Sequence, residues 1–419
     1  MLNDIARIEI YKTRLFTLFT CLWFVGIILG EKAPAILSIT MVGQLLSILL
    51  FTGPKKLWNN FTTNKAMLLF SFSFLFLLLS FFYSDNLKYL TERLQIKIPL
   101  LLYAFIWPSI GELTLKQIKA IFYLFVGVIM ITSTGILVNY ALNFNEINQL
   151  YLESRIMPGP INHIRFSLMV VFATYVIYYG ITKQLITSIN ARKILIAVGI
   201  FLILFLHIYA VRSGLLALYF VMAIVLLNHL IKHRNLKKLI GAVSIIGVII
   251  SFSFLISPTM RNKITNTQQD VSVYTNDKDP NFNSIATRMV SYKTALEIAK
   301  ENIFVGCGIG DLRDKNDALF KRDYPTILTP IIPHNQFIYY LAATGLIGLV
   351  IFTLSFTAPL WFNKSYRIEF IQIGYAILLL AFQFEAMLET QIGVACTIVM
   401  VFIPYLFNKQ QVATEPTYS

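Results

Sequence analysis

The chain has 419 residues, 57% of them apolar and only 13% charged, with a mean hydropathy of +0.68. A soluble domain carries about a quarter charged residues, so a water-soluble enzyme, a disordered chain and a secreted disulfide scaffold are excluded and a polytopic membrane protein remains. The formal charge of +14 raises nucleic acid as a partner, and the placement of the charges decides that question.

A hydrocarbon core about 30 Å thick needs roughly 20 apolar residues per helix. Twelve apolar runs are read as spans, centred near Leu22, Gln44, Leu75, Tyr103, Val128, Ala173, Ile200, Val221, Gly247, Thr344, Leu378 and Ile398. They are continuous in Phe, Leu and Ile and lack the alternation of a barrel strand, which predicts helices. The fold class expected is all-α: a polytopic membrane protein with about 12 transmembrane helices and one large external loop carrying short helices. Residues 1–257 hold helices 1 to 9, 258–333 the loop, 334–408 helices 10 to 12, and 409–419 a short polar tail. Ala33-Pro34-Ala35 behind the first run resembles a signal-peptide cleavage site. Eleven further spans require insertion in any case, so the first run is expected to be retained.

Lys and Arg in short loops set the orientation. The loops on the side of the termini carry eighteen basic residues against five acids, and the short loops opposite carry seven of each. The basic side is therefore cytoplasmic, with both termini on it. The excess charge is a topology signal, and no nucleic-acid partner is expected. The long loop, with ten basic and nine acidic residues, falls outside. It is too long for a bare connector. Within it an amphipathic helix is predicted from Ser284 to Glu301, with Ile285, Met289, Tyr292, Leu296 and Ala299 on one face. A turn follows at Gly306-Cys307-Gly308-Ile309-Gly310. Cys21 and Cys396 fall in spans and Cys307 in the loop, so no structural disulfide and no zinc site are expected.

Ionisable residues placed in or against an apolar span are functional candidates, because they are expensive there. Arg212 is the only charged residue between Ile194 and Leu227. Two readings fit it: snorkelling to lipid phosphate, or a bidentate clamp on a phosphate. Arg165 opens the sixth span after Asn162-His163 and reads as an interfacial anchor or a further phosphate contact. Arg288 lies on the loop helix. His334, where the chain re-enters the membrane, can accept a proton at neutral pH, and Asn335 can orient it or bind a sugar hydroxyl. Glu385 and Glu389 are alternative bases or partners for the arginines. Asp277-Lys278-Asp279 matches a metal-holding pattern but reads as a solvated turn, and the glycines at 306, 308 and 310 read as a tight turn more than a phosphate loop.

His334-Asn335, followed nine residues later by Gly345-Leu346-Ile347-Gly348, resembles the H-[NSQ]-x9-G-x-x-[GTY] motif of the O-antigen ligase family. Arg212 with Leu216 is similar to that family's R-x3-L motif. Arg288, ahead of Tyr292, Ala295 and the glycine turn, resembles the arginine of its large periplasmic loop. The resemblance implies a metal-independent inverting glycosyltransferase in the bacterial inner membrane, with its active site facing the periplasm and no cofactor. It would move a glycan from undecaprenyl pyrophosphate to a lipid A–core acceptor. Arg212, Arg288 and Arg165 would bind the donor pyrophosphate, His334 would activate the acceptor hydroxyl, and Asn335 would support it. Gly345 and Gly348 would let the tenth helix pack closely on a neighbour. An O-antigen polymerase and a protein O-oligosaccharyltransferase share this pattern. A transporter is disfavoured, because no inverted repeat is present.

Overall fold

The computed structural model describes residues 2–152, 155–233, 284–362 and 368–414, with isolated positions between 241 and 268. Among these, all regular structure is helical. In chain order the helices are α1 (Leu2–Leu29), α2 (Pro34–Leu49), α3 (Pro54–Thr63), α4 (Lys65–Leu75, continued by a 3-10 segment, Phe76–Phe82) and α5 (Leu87–Ile106). Then come α6 (Leu115–Leu142), α7 (Phe144–Leu152), α8 (His163–Thr182), α9 (Ile189–Tyr209) and α10 (Arg212–His233). The last five are α11 (Ser284–Glu301), α12 (Leu312–Asp323), α13 (Gln336–Phe362), α14 (Glu369–Ala381) and α15 (Gln391–Thr414).

Local chemistry sets many of the helix starts. Pro34 and Pro54 open α2 and α3, where the missing N–H is no loss. Asn64, Asn86 and Asn162 cap α4, α5 and α8 by accepting from Met67 N, Tyr89 N and Ile164 N. Ala210, left-handed at φ 48°, ends α9 and lets α10 begin at Arg212.

The helices form two compact units, residues 1–125 with 288–419, and residues 126–287. In the first, α1 packs on α2, and α4 lies against both α5 and α13. Its interior is aromatic: the rings of Phe352, Phe356, Tyr375 and Phe382 pack on one another, and Trp107 packs on Phe402 at 4.8 Å. In the second unit α8 packs against α9 and α10 and is buried over most of its surface.

The protein is a multi-pass membrane protein, but the expected count of twelve spans is corrected. Among the described residues seven helices are long and apolar enough to cross a membrane, or eight if α2 and α3, bent by 101°, form one span. The run near Tyr103 is α5, which carries Lys88, Glu92, Arg93 and Lys97. The runs near Leu378 and Ile398 form apolar stretches of only Glu369–Ala381 and Gln391–Phe407. The run near Gly247 lies largely outside the described residues, as do Asp277 and Asp279.

The loop helix α11 has the expected ends but a shifted buried face. Ala286, Val290, Ala295 and Ile298 are buried, whereas Leu296 is 41% exposed. Thr294, also buried, donates to Asn316 Oδ1 at 2.9 Å. Of the expected face Ala299 is buried and Met289 and Tyr292 are half-buried, so the buried stripe is shifted, not absent. Val290 joins Phe320 of α12 and Ile327 in a small core, with Tyr324 and Ile331 against it.

Gly345 also departs from the expectation of close helix packing. It breaks α13, with φ 65° and ψ −171°. The break leaves the amides of Leu346 and Ile347 and the carbonyls of Ala342 and Ala343 without their helical partners. The glycine turn supplies replacements. Cys307 N donates to Ala342 O (3.0 Å) and Gly308 N to Ala343 O (2.8 Å), while Leu346 N donates to Ile303 O (2.8 Å) and Ile347 N to Phe304 O (3.2 Å). Any Cβ on Gly345 would overlap the Phe304 backbone, and one on Gly306 (φ 75°) would press on residues 343–345. On its other side the turn is held by Asp311, whose carboxylate accepts from Asp85 N and Asn86 N at 2.9–3.1 Å.

Burial pushes the Cys307 thiol up to about 12, so little of it is thiolate at pH 8. Alkylation of Cys307 is expected to be slow at pH 8 and to rise as the pH approaches 12. Gly345→Ala should cost about 2–3 kcal/mol through strain and overlap and speed that alkylation at least tenfold. Because both glycines serve one contact, a Gly306→Ala/Gly345→Ala double variant should unfold little earlier than either single variant. Thermal unfolding in detergent and timed alkylation read these outcomes, and fully additive losses would contradict the shared contact.

Candidate functional site

Three of the five candidate residues lie in the first unit, where α13 begins. His334 precedes the helix and is about one third exposed, and its Nδ1 lies 3.2 Å from Glu385 Oε2. Glu385 is nearly buried. A carboxylate can only accept, so in the pair with ionised Glu385 Nδ1 is the donor, and in the neutral ring Nε2 is then the acceptor.

Arg288 stands on α11. One turn further along, Tyr292 donates from its hydroxyl to the His334 carbonyl at 3.0 Å. Burial pushes the Tyr292 phenol up, the Arg288 charge pulls it down, and the Glu385 charge raises it. Both charges therefore act on one phenol, which joins the loop helix to His334.

Asn335 caps α13. Its Oδ1 accepts from Phe337 N (2.9 Å) and Ile338 N (3.0 Å), and its Nδ2 donates to Gln383 O (3.0 Å). Gln336, fully buried, completes the join to residues 382–389. Its backbone N donates to Phe382 O, its Oε1 accepts from Leu388 N at 2.8 Å, and its Nε2 donates to Glu389 Oε1 at 3.2 Å. Glu389 in turn pairs with Lys97 at 2.7 Å, both essentially without solvent exposure. The segment bearing Glu385 is thus held by side chains of α13 and α5.

Arg165 and Arg212 belong to the second unit. Arg165 is buried in the first turn of α8, and Arg212 is half-buried at the start of α10. Gly214 faces Ser167 so closely that an added Cβ would collide with it. Each arginine lies two residues before that contact. The two first turns therefore sit side by side at one end of the unit.

Glu385 and Glu389, read from the sequence as alternative bases, as partners for the arginines or as structural ion pairs, pair with His334 and with Lys97. Gln336 carried no sequence signal, because a neutral amide in an apolar run has no charge to betray it. Lys97 did carry one, as a cation next to the unbroken run from Ile98 to Ile106.

Fold and site define a multi-pass helical membrane protein with an imidazole–carboxylate pair where a loop helix meets a broken span. Residues 196–353 match the profile of a family described as O-antigen ligase, and over that stretch the chain is similar to it. The matched region contains Arg212, Arg288, His334, Asn335, Gly345 and Gly348, while Arg165 precedes it. No curated protein matches the chain.

Glu389→Gln leaves the buried Lys97 ammonium unpaired, and Lys97→Met leaves the carboxylate unpaired. Each single change is expected to lower stability by about 3–5 kcal/mol, and the double change to recover much of it. Denaturation in detergent tests this, and a double variant weaker than both singles would contradict the expectation.

Proposed function

We propose that the protein is an inverting glycosyltransferase of the O-antigen ligase type. In this reading it moves a glycan from undecaprenyl pyrophosphate to a lipid A–core acceptor at the periplasmic face of the bacterial inner membrane, with both termini cytoplasmic. The observation that carries the proposal is the His334–Glu385 pair, with Arg288 acting on the same Tyr292, inside the stretch similar to the ligase family.

The chemistry needs few groups. The acceptor oxygen attacks the anomeric carbon as the bond to the pyrophosphate oxygen breaks, and the configuration inverts. His334 Nε2 takes the acceptor proton, and Glu385 stabilises the imidazolium that results. Asn335 serves through His334, because it fixes the start of α13 against residues 382–389. The leaving pyrophosphate gathers negative charge, and guanidinium groups stabilise such charge best where water is restricted. The family resemblance gives that role to Arg288 and Arg212, with Arg165 as a further contact. No enzymic nucleophile is required for a single displacement.

His334→Ala should lower glycan transfer by about 10²–10⁴-fold, while the variant still inserts and stays monodisperse. Arg212→Lys and Arg288→Lys keep the charge but lose the fork, so a large loss is expected from each. Purified protein given the lipid-linked donor with lipid A–core should make lipopolysaccharide. Lengthening of the donor glycan alone would make it a polymerase instead, and full activity of His334→Ala would remove the base assignment.

A further inference from the structure

A cleft of about 540 Å³ opens between α2 and α5 in the first unit, beside the start of α15. It lies within the range of small-molecule sites, about 300–1,000 Å³. Its lining is sorted by polarity. At one end stand Ser38, Glu92, Arg93 and Gln391, with Gln391 Nε2 donating to Ser38 Oγ at 2.7 Å. Beyond them the walls are Val42, Leu45, Ile96 and Leu102. From Glu92 to Leu102 α5 rises about 15 Å, half of a hydrocarbon core about 30 Å thick. The cleft therefore has the length of one leaflet and the polarity of one lipid.

The polar end lies on the same side as His334. Arg93 Nη1 donates to Glu389 O at 3.0 Å, and Glu389 holds Gln336, two residues after His334. The guanidinium carbon sits 4.9 Å from the Tyr89 ring centre, and its buried Nε meets no acceptor among the described residues. One cation and one anion, Arg93 and Glu92, line the head end together. A doubly charged pyrophosphate would meet Glu92 as a repulsion. A zwitterionic head meets both charges favourably.

We propose that this cleft is a binding site for a membrane phospholipid with a phosphoethanolamine head. The phosphate lies on Arg93, the ammonium on Glu92, and one acyl chain runs along Val42, Leu45, Ile96 and Leu102. Because Arg93 also holds the Glu389 carbonyl, an occupied cleft braces the segment that carries Glu385. This site goes beyond the transferase reading and stands whether or not that reading holds.

The test uses the full chain in detergent, mixed with phosphatidylethanolamine or phosphatidylglycerol and released for native mass spectrometry. One phosphatidylethanolamine should be retained per chain, with about tenfold preference over phosphatidylglycerol. Glu92→Gln should erase that preference. Val42→Trp, which fills the apolar end without touching the head, should reduce retention at least tenfold while helical content stays unchanged. A photoreactive phosphatidylethanolamine should label the peptides around residues 38–45 and 92–102. Equal retention of both lipids by the unaltered protein, undiminished retention in Val42→Trp, or labelling confined to other helices would overturn the proposal.

Discussion

Backbone groups inside an apolar span must find partners within the protein, because lipid offers none. At Gly345 two amides and two carbonyls lose their helical partners, and residues 303–308 satisfy all four. The rest of the candidate site depends on this exchange. It fixes the glycine turn that follows α11, and α11 bears Arg288 and brings Tyr292 to His334. A loop that merely lay on the membrane surface would hold these groups loosely. Here the loop completes the hydrogen bonding of a span, so undocking it exposes polar backbone to hydrocarbon. Each such group costs on the order of several kcal/mol when unsatisfied.

A second constraint acts from below the site. Lys97 and Glu389 are buried charges, and a buried ion pair is weak evidence for stability. Its effect here is on geometry. Glu389 uses one carboxylate oxygen on Lys97 and the other on Gln336, while its carbonyl accepts from Arg93. The short stretch from Phe382 to Glu389 is thereby tied at several points to α5 and α13. Glu385 sits within it, facing His334. The imidazole is oriented by a carboxylate whose own placement is fixed, and this is the arrangement a general base needs.

The sequence made the class plain, because apolar runs and sparse charge leave little choice in a bilayer. It also located the loop helix to its end residues. Its errors have physical causes. Hydropathy alone cannot separate a full span from a short buried helix such as Glu369–Ala381, nor foresee that a charged helix such as α5 packs inside the bundle. The face of α11 was shifted because burial falls on Ala286, Val290 and Ala295, whereas periodicity weights large side chains such as Leu296. Gly345 was legible as a glycine in a helix, but its role lies in a partner forty residues earlier that no local pattern reveals. The pairing of Glu385 with His334 is likewise a long-range fact.

The central claim, that the glycine turn and the broken span form one hydrogen-bonded unit, is open to hydrogen exchange resolved to single amides in detergent. The amides of Cys307, Gly308, Leu346 and Ile347 should be protected together and exchange at a common rate, opening as one unit. Rapid exchange at 307 and 308 beside strong protection at 346 and 347 would contradict the account, for the loop would then be a separate body with no fixed hold on His334.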